Sequence, residues 1–385
     1  MIKTLSPREA VNQIRAKNNG QCALVLQGGG ALGAYQGGVY QALHEASVHP
    51  RWVIGTSIGA INGAIIAGNP FEHRLERMRE FWTRVEHRGL WSGSSSAGLG
   101  HLPDNLLTLT TGIPGFFLPN AAAAFGLQAP VGADRASFYS TAALRQTLTE
   151  LVDFRLLTSV RPRFTVGAVN VRSGQMRYFD SRDTPISCDH VLASGALPPA
   201  FPAIRIAGDP YWDGGVYSNT PIEAVFDDHP RRNSVIFAVQ MWHAAGPEPD
   251  SIWQVFSRQK DIQYASRTDS HIIRQGQMHH LRHLVRELIE MLPESARDTP
   301  KVRELAEHGC GTTMHIVRLN APRLPREDHT RDIDFTRAGI DARWQAGYAD
   351  TVRMLERRPW DDPVDPLIGV AVHDSDGQEM RIRAS

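Results

Sequence analysis

The chain has 385 residues, 42% of them hydrophobic, which suffices for a large buried core in one to three domains. Its 41 basic side chains balance 41 acidic ones, so no polyanionic partner such as nucleic acid is implied. Cys22, Cys188 and Cys310 are too few for a disulfide framework and suit a reducing compartment, and no run of about 18 apolar residues is present to span a membrane.

Residues 1–20 are of mixed charge and lack the apolar core of a signal peptide, so a cytoplasmic location is expected. Cys22 to Gln27 is an apolar run of strand length, followed at once by Gly28-Gly29-Gly30-Ala31-Leu32-Gly33. Ala34 to Ala46 then reads as a helix with Tyr35, Val39, Ala42, Leu43 and Ala46 on one face. A glycine-rich loop between strand and helix exposes backbone N–H groups and forms an anion-binding nest. The same residues satisfy a dinucleotide fingerprint, but that site needs an acid near the end of the next strand to hold a ribose. The next strand, Trp52-Val53-Ile54, runs into Gly55-Thr56-Ser57 and carries no acid. The nest therefore reads as an oxyanion hole built from Gly28, Gly29, Gly30 and Gly33.

Gly55-Thr56-Ser57-Ile58-Gly59 has the form of a nucleophile elbow, a serine at the apex of a strained strand-to-helix turn. Gly55 and Gly59 are expected to support it, because side chains there would crowd the strand and helix. Ser57 is thus the candidate nucleophile, its hydroxyl at the amino end of the helix formed by Gly59 to Gly68. Phe71 to Arg88 follows as a charged amphipathic helix. Residues 92–133 contain a single charged side chain, Asp104, and are broken by Gly and Pro. So long an insertion reads either as a loop packed on the core or as a lid, with Phe116, Phe117 and Leu118 making peripheral contact with a membrane.

Arg135 to Leu151 reads as a helix, Arg163 to Asn170 and Gln175 to Phe179 as strands, and His190 to Gly195 as a short helix. Ile204 to Ile206 and Tyr211-Trp212 straddle a turn, after which Asp213-Gly214-Gly215 places a carboxylate before two glycines. Ser234 to Met241 is a buried strand, Ile252 to Leu292 mostly helix, Thr313 to Leu319 a strand, Thr336 to Arg357 an amphipathic helix, and 359–385 a tail. His279, His280 and His283 have spacing that suits a metal, but no cysteine or acidic cluster stands beside them in sequence, so they read as a solvated face and no metal is assigned.

Taken in order, Gly28 to Gly33, Gly55 to Gly59 and Asp213 to Gly215 make the chain resemble the patatin-like phospholipases. The resemblance runs from about Ala23 to Ala224, with Ala31 where many plant members carry Arg. It implies a Ser–Asp dyad in which Ser57 is the nucleophile and Asp213 the base, with Gly214 and Gly215 supporting the turn and no cofactor required. It also implies a lipid or other ester substrate, cleaved through an acyl-enzyme. A buried carboxylate is a stronger base, and Trp212 is the neighbour expected to shield Asp213. A Ser–Asp–His triad remains an alternative, with His243 or His271 in place among sixteen histidines. So do an esterase or thioesterase acting on non-membrane esters or hydroxyacid oligomers, and an inactive lipid-binding scaffold. The expected architecture is three-layer α/β/α with a mostly parallel central sheet. Residues 1–20 form an N-terminal segment, 21–245 the catalytic domain, and 246–385 a mainly helical extension packed on it.

Overall fold

The computed structural model describes residues 20–87, 111–113, 115–121, 123, 128, 130–158, 162–324, 327 and 330–375, without the side chains of 266–268. Most of the 92–133 insertion therefore lies outside the described residues.

Nine strands form one sheet. They are β1 (Gln21–Leu26), β2 (Trp52–Gly55), β3 (Arg163–Asn170), β4 (Met176–Asp180), β5 (Ile204–Ile206), β6 (Asp209–Asp213), β7 (Ser234–Gln240), β8 (Met314–Asn320) and β9 (Val370–Asp374). The order is β9-β8-β7-β1-β2-β3-β6-β5, with β4 also on β3. Every pairing from β9 across to β3 is parallel, and β3 pairs antiparallel with β4 and β6. Parallel strands need both faces covered, and the side chains alternate accordingly. Cys22, Leu24, Leu26, Val53, Val235, Phe237 and Val239 enter one core. Ala23, Val25, Trp52, Ile54, Ile236 and Ala238 enter the other.

On the first face lie α1 (Ala34–Glu45), α2 (Ile58–Ala67), α3 (Phe71–Arg84), α4 (Ala142–Leu151), α5 (Cys188–Ser194) and α7 (Arg337–Arg357). On the second, Val225, Phe226 and the 39-residue α6 (Ile252–Glu290) close the core through Ile272. This is the expected three-layer α/β/α architecture. The helix expected from Arg135 starts only at Ala142, because Tyr139-Ser140 is drawn into a short antiparallel ladder with Leu118-Pro119.

The region after residue 245 is mainly helical, yet it supplies two strands of the central sheet. β8 pairs with β7 in parallel over seven residues, and β9 pairs with β8. β9 falls where the sequence reads as a tail. Its apolar run, Val370 to Val372, is too short to stand out, and it is buried by β8 together with the residues of the second core. Arg318 on β8 and Asp374 on β9 form a buried ion pair.

The antiparallel part of the sheet positions the site. β4 occupies one edge of β3, opposite residues 165–169. The other edge is shared. β2 pairs with its first half and ends with Gly55 opposite Val166. β6 runs the opposite way and ends with Asp213 opposite Ala168. Two strands thus meet end to end on one neighbour, two β3 residues apart, or roughly 7 Å.

Candidate active site

Ser57 follows β2 and caps α2 with φ 57° and ψ −128°, a region that a non-glycine residue enters only under constraint. The constraint is visible. A Cβ on Gly55 would stand 2.3 Å from the Gly59 carbonyl oxygen, and one on Gly59 would stand 2.2 Å from that of Leu26. The Ser57 N–H donates to the Ser194 carbonyl at 3.1 Å and to its Oγ at 3.0 Å. Ser194 Oγ in turn donates to the Gly167 carbonyl at 2.6 Å, so α5 and β3 hold the elbow.

Asp213 ends β6, is 2% exposed, and lines the cleft beside the Ser57 side chain. The Gly215 N–H donates to Asp213 Oδ1 at 2.7 Å. Burial pushes its pKa up to about 7, against the lowering effect of the Gly215 N–H and the nearby Ser57 hydroxyl. The expected shield, Trp212, is not the cause. It precedes Asp213 on a strand, so the two point to opposite faces, and Trp212 is the half-buried one. Asp213 is covered instead within the cleft, where Tyr264 of α6 faces it.

The nest divides unevenly. The Gly28 N–H is engaged by Asn219 Oδ1 at 3.1 Å, and the Gly28 carbonyl accepts from Asn219 Nδ2 at 3.1 Å and Trp242 Nε1 at 2.8 Å. Gly33 packs on Ile58 and lies outside the cleft lining. Gly28 and Gly33 are therefore framework rather than oxyanion donors, a correction to the four-glycine expectation. Gly29 and Gly30 line the cleft, and among the described residues their N–H groups have no partner. Gly30 has φ 58°, and a Cβ there would stand 2.3 Å from the Asp332 carbonyl oxygen. Gly214 leaves room for the Gly167 carbonyl, which a Cβ would approach to 2.5 Å, so the turn after Asp213 also needs its glycine.

Gln27 and Asn219 frame this arrangement, and neither declares itself as a single motif residue. Gln27 Oε1 accepts from the N–H groups of Met241 and Trp242 at 2.5 and 3.2 Å. Gln27 Nε2 donates to Thr220 Oγ1 at 2.7 Å. Thr220 and Asn219 follow the aspartate turn, and their partners Gln27 and Gly28 lie 193 and 191 residues away in the chain.

The cleft of about 160 Å³ has an apolar wall that includes Ile61, Phe116, Phe117, Leu197, Phe201 and Phe335. Phe116 packs on Phe335 and Phe201 at ring-centroid distances of 5.6 and 6.2 Å. Phe116 and Phe117 are only 8% and 4% exposed, which corrects their expected role at a membrane; Leu118 alone of the three is exposed, at 44%. Their aromatic partners come from α5's exit loop and from the chain before α7, a proximity absent from local sequence. No described residue lining the cleft is a histidine. His243 sits beside Asp261, and His271 faces Glu223 at 3.6 Å.

The model of the patatin-like phospholipase family matches residues 24–226, more than half of the chain. The chain belongs to the patatin-like phospholipase family. A second model, described as patatin phospholipase, matches residues 262–367, which hold most of α6, β8 and α7. A patatin-like phospholipase domain-containing protein of Caenorhabditis elegans is 43% identical over 60 residues, 16% of this chain and 6% of that protein's length. The crystal structure of VipD from Legionella pneumophila aligns with 88% of this chain and 67% of its own, at 17% identity and a TM-score of 0.39. Among the described residues of this patatin-family chain, no helix is long and apolar enough to cross a membrane.

Proposed function

We propose that this protein is a lipid acyl hydrolase of the phospholipase A or esterase type, working through a Ser57–Asp213 dyad. The observation that carries the reading is one cleft that brings the Ser57 side chain and the buried Asp213 carboxylate together with two unpartnered amides and an apolar wall. Ser57 Oγ attacks the ester carbonyl as its proton passes to Asp213. The Gly29 and Gly30 N–H groups stabilise the oxyanion. Asp213 returns the proton to the leaving alcohol, and an acyl-enzyme remains. Water then gives a proton to Asp213 as it attacks, and the carboxylic acid leaves with Ser57 restored. A carboxylate titrating near neutrality is matched to both proton transfers. The apolar wall suits an acyl chain better than a polar acid.

Labelling with a fluorescent fluorophosphonate tests the dyad, and fatty-acid release from phospholipid vesicles and from short-chain esters tests the substrate. The expected result is label on the native protein, none on Ser57→Ala, and strong loss on Asp213→Asn. Turnover in Ser57→Ala should fall roughly 10⁴-fold or more. Equal labelling of native and Asp213→Asn protein would remove Asp213 as the base.

A further inference from the structure

His279 and His283 lie one turn apart on α6, and the fold brings Cys310 to them. The sequence reading of this face as solvated is overturned here. His279 is fully buried and His283 and Cys310 nearly so. The ligand atoms of all three lie within 4.8 Å of one another. The two Nε2 atoms are 3.1 Å apart, and the Thr312 carbonyl oxygen stands 2.8 Å from one and 3.0 Å from the other.

The hydrogen bonds orient this cluster. His283 Nδ1 is 2.6 Å from the Pro366 carbonyl oxygen, which can only accept, so Nδ1 carries the proton. The His283 Nε2 lone pair then points at the second histidine, whose Nε2 faces the Thr312 carbonyl oxygen and whose Nδ1 has no partner among the described residues. Either a proton on His279 Nε2 or a metal ion that takes both Nε2 lone pairs satisfies this contact. A backbone carbonyl fixing the far nitrogen is the usual outer support of a metal-bound histidine. The Thr312 hydroxyl stands 3.0 Å from Cys310 Sγ, where it can donate to a thiolate. Gly369 forms the wall. It has φ 68°, and a Cβ there would stand 2.5 Å from the His283 ring.

We propose that His279, His283 and Cys310 form a structural zinc site, with the Thr312 carbonyl or a water as the fourth ligand. Two imidazoles and a thiolate match the preference of zinc. Two nitrogens bound tetrahedrally at ~2.05 Å stand about 3.3 Å apart, close to the 3.1 Å found here. The site joins α6, the loop before β8 and the turn before β9. It is fifteen residues beyond Tyr264 on α6, roughly 22 Å along the helix from the cleft. Its role is therefore to fasten the second layer to the sheet edge.

The test is metal analysis of the full chain, native and as Ser57→Ala, Cys310→Ser and His283→Gln, after equilibration with zinc and gel filtration. Cobalt(II) substitution of the native protein is the second measurement. The expected result is about one zinc per chain in the native protein and in Ser57→Ala, and at least a tenfold loss in the two ligand variants. Cobalt should give a thiolate-to-metal charge-transfer band in the near ultraviolet. A native chain that retains no zinc, or a Cys310→Ser chain that retains it undiminished, would overturn the proposal. So would a cobalt spectrum without the thiolate band, a readout that holds even if the variants fail to fold.

Discussion

Asp213 carries opposite demands for stability and for chemistry. Its pKa near 7 in the folded chain compares with about 3.9 for an unfolded aspartate. Between those values the unfolded state has released a proton that the folded state keeps, so stability falls as pH rises from about 4 to 7. Above that window the full penalty is present, on the order of 4 kcal/mol at roughly 1.4 kcal/mol per pKa unit. Asp213→Asn removes it. The variant should melt above the native protein at pH 8 and converge with it near pH 4, while its turnover is lost. Native turnover should rise with pH through about 7, and that acidic limb should be absent from any residual rate of the variant. Parallel melting and rate profiles check both; a native advantage in melting at pH 8 would show the carboxylate is not destabilising. Gly30 offers a cleaner separation. Gly30→Ala must strain φ 58° and displace the Asp332 carbonyl, which moves the amide beside Ser57. Its kcat should fall roughly 10²-fold, with fluorophosphonate labelling slowed and secondary structure by circular dichroism unchanged. At this scale Ser57, Asp213 and the glycines are legible because short motifs encode tight turns. The division of labour within Gly28 to Gly33 is not, because the Gly28 amide is consumed by Asn219, which no local pattern links to it.

Helices show the same boundary between local and distant information. α1 reads as a helix with an apolar face, but α7 crosses it beside that face, along Gly37, Gly38, Gln41 and Glu45. Its Gly37 and Gly38 have no visible purpose in sequence. In the structure a Cβ on Gly37 would stand 2.2 Å from the Trp344 ring, and one on Gly38 1.8 Å from the Trp344 carbonyl oxygen. On the facing helix, a Cβ on Gly347 would stand 2.0 Å from the Tyr35 carbonyl oxygen. The two backbones touch, and Tyr35 also donates to Asp350 Oδ2 at 2.7 Å. Overpacking this crossing by Gly38→Ala should cost about 3 kcal/mol. That exceeds the ~1 kcal/mol by which alanine is the better helix former. A denaturant midpoint lower than native checks this; a higher midpoint would mean that the helices part without cost.

Over the whole molecule, the order of layers was readable because parallel strands buried on both faces are short apolar runs between helical periods. Where the catalytic unit ends was not. The expected break after residue 245 falls within the sheet, which continues through β8 and β9. The cleft also takes Tyr264, Asp332 and Phe335 from beyond that point. A fragment of residues 1–245 would leave the buried strand β7 as an open edge, which invites aggregation. It should be recovered mostly in the insoluble fraction and should not label with fluorophosphonate, whereas the full chain should be soluble and should label. A soluble, labelled fragment would restore the shorter catalytic unit.

The shared edge of β3 has a consequence for how this chain can change in length. Ser57 and Asp213 are brought together by where two strands stop on a third, and not by the path the chain takes from one to the other. The connections between α2 and β3, and between β4 and α5, can therefore lengthen without shifting the pair. Insertion in those connections should be tolerated as long as the endings opposite Val166 and Ala168 are kept. A single residue added within β3 between those two positions would part the serine from its carboxylate, and would also break the register of β4, which pairs across the same residues.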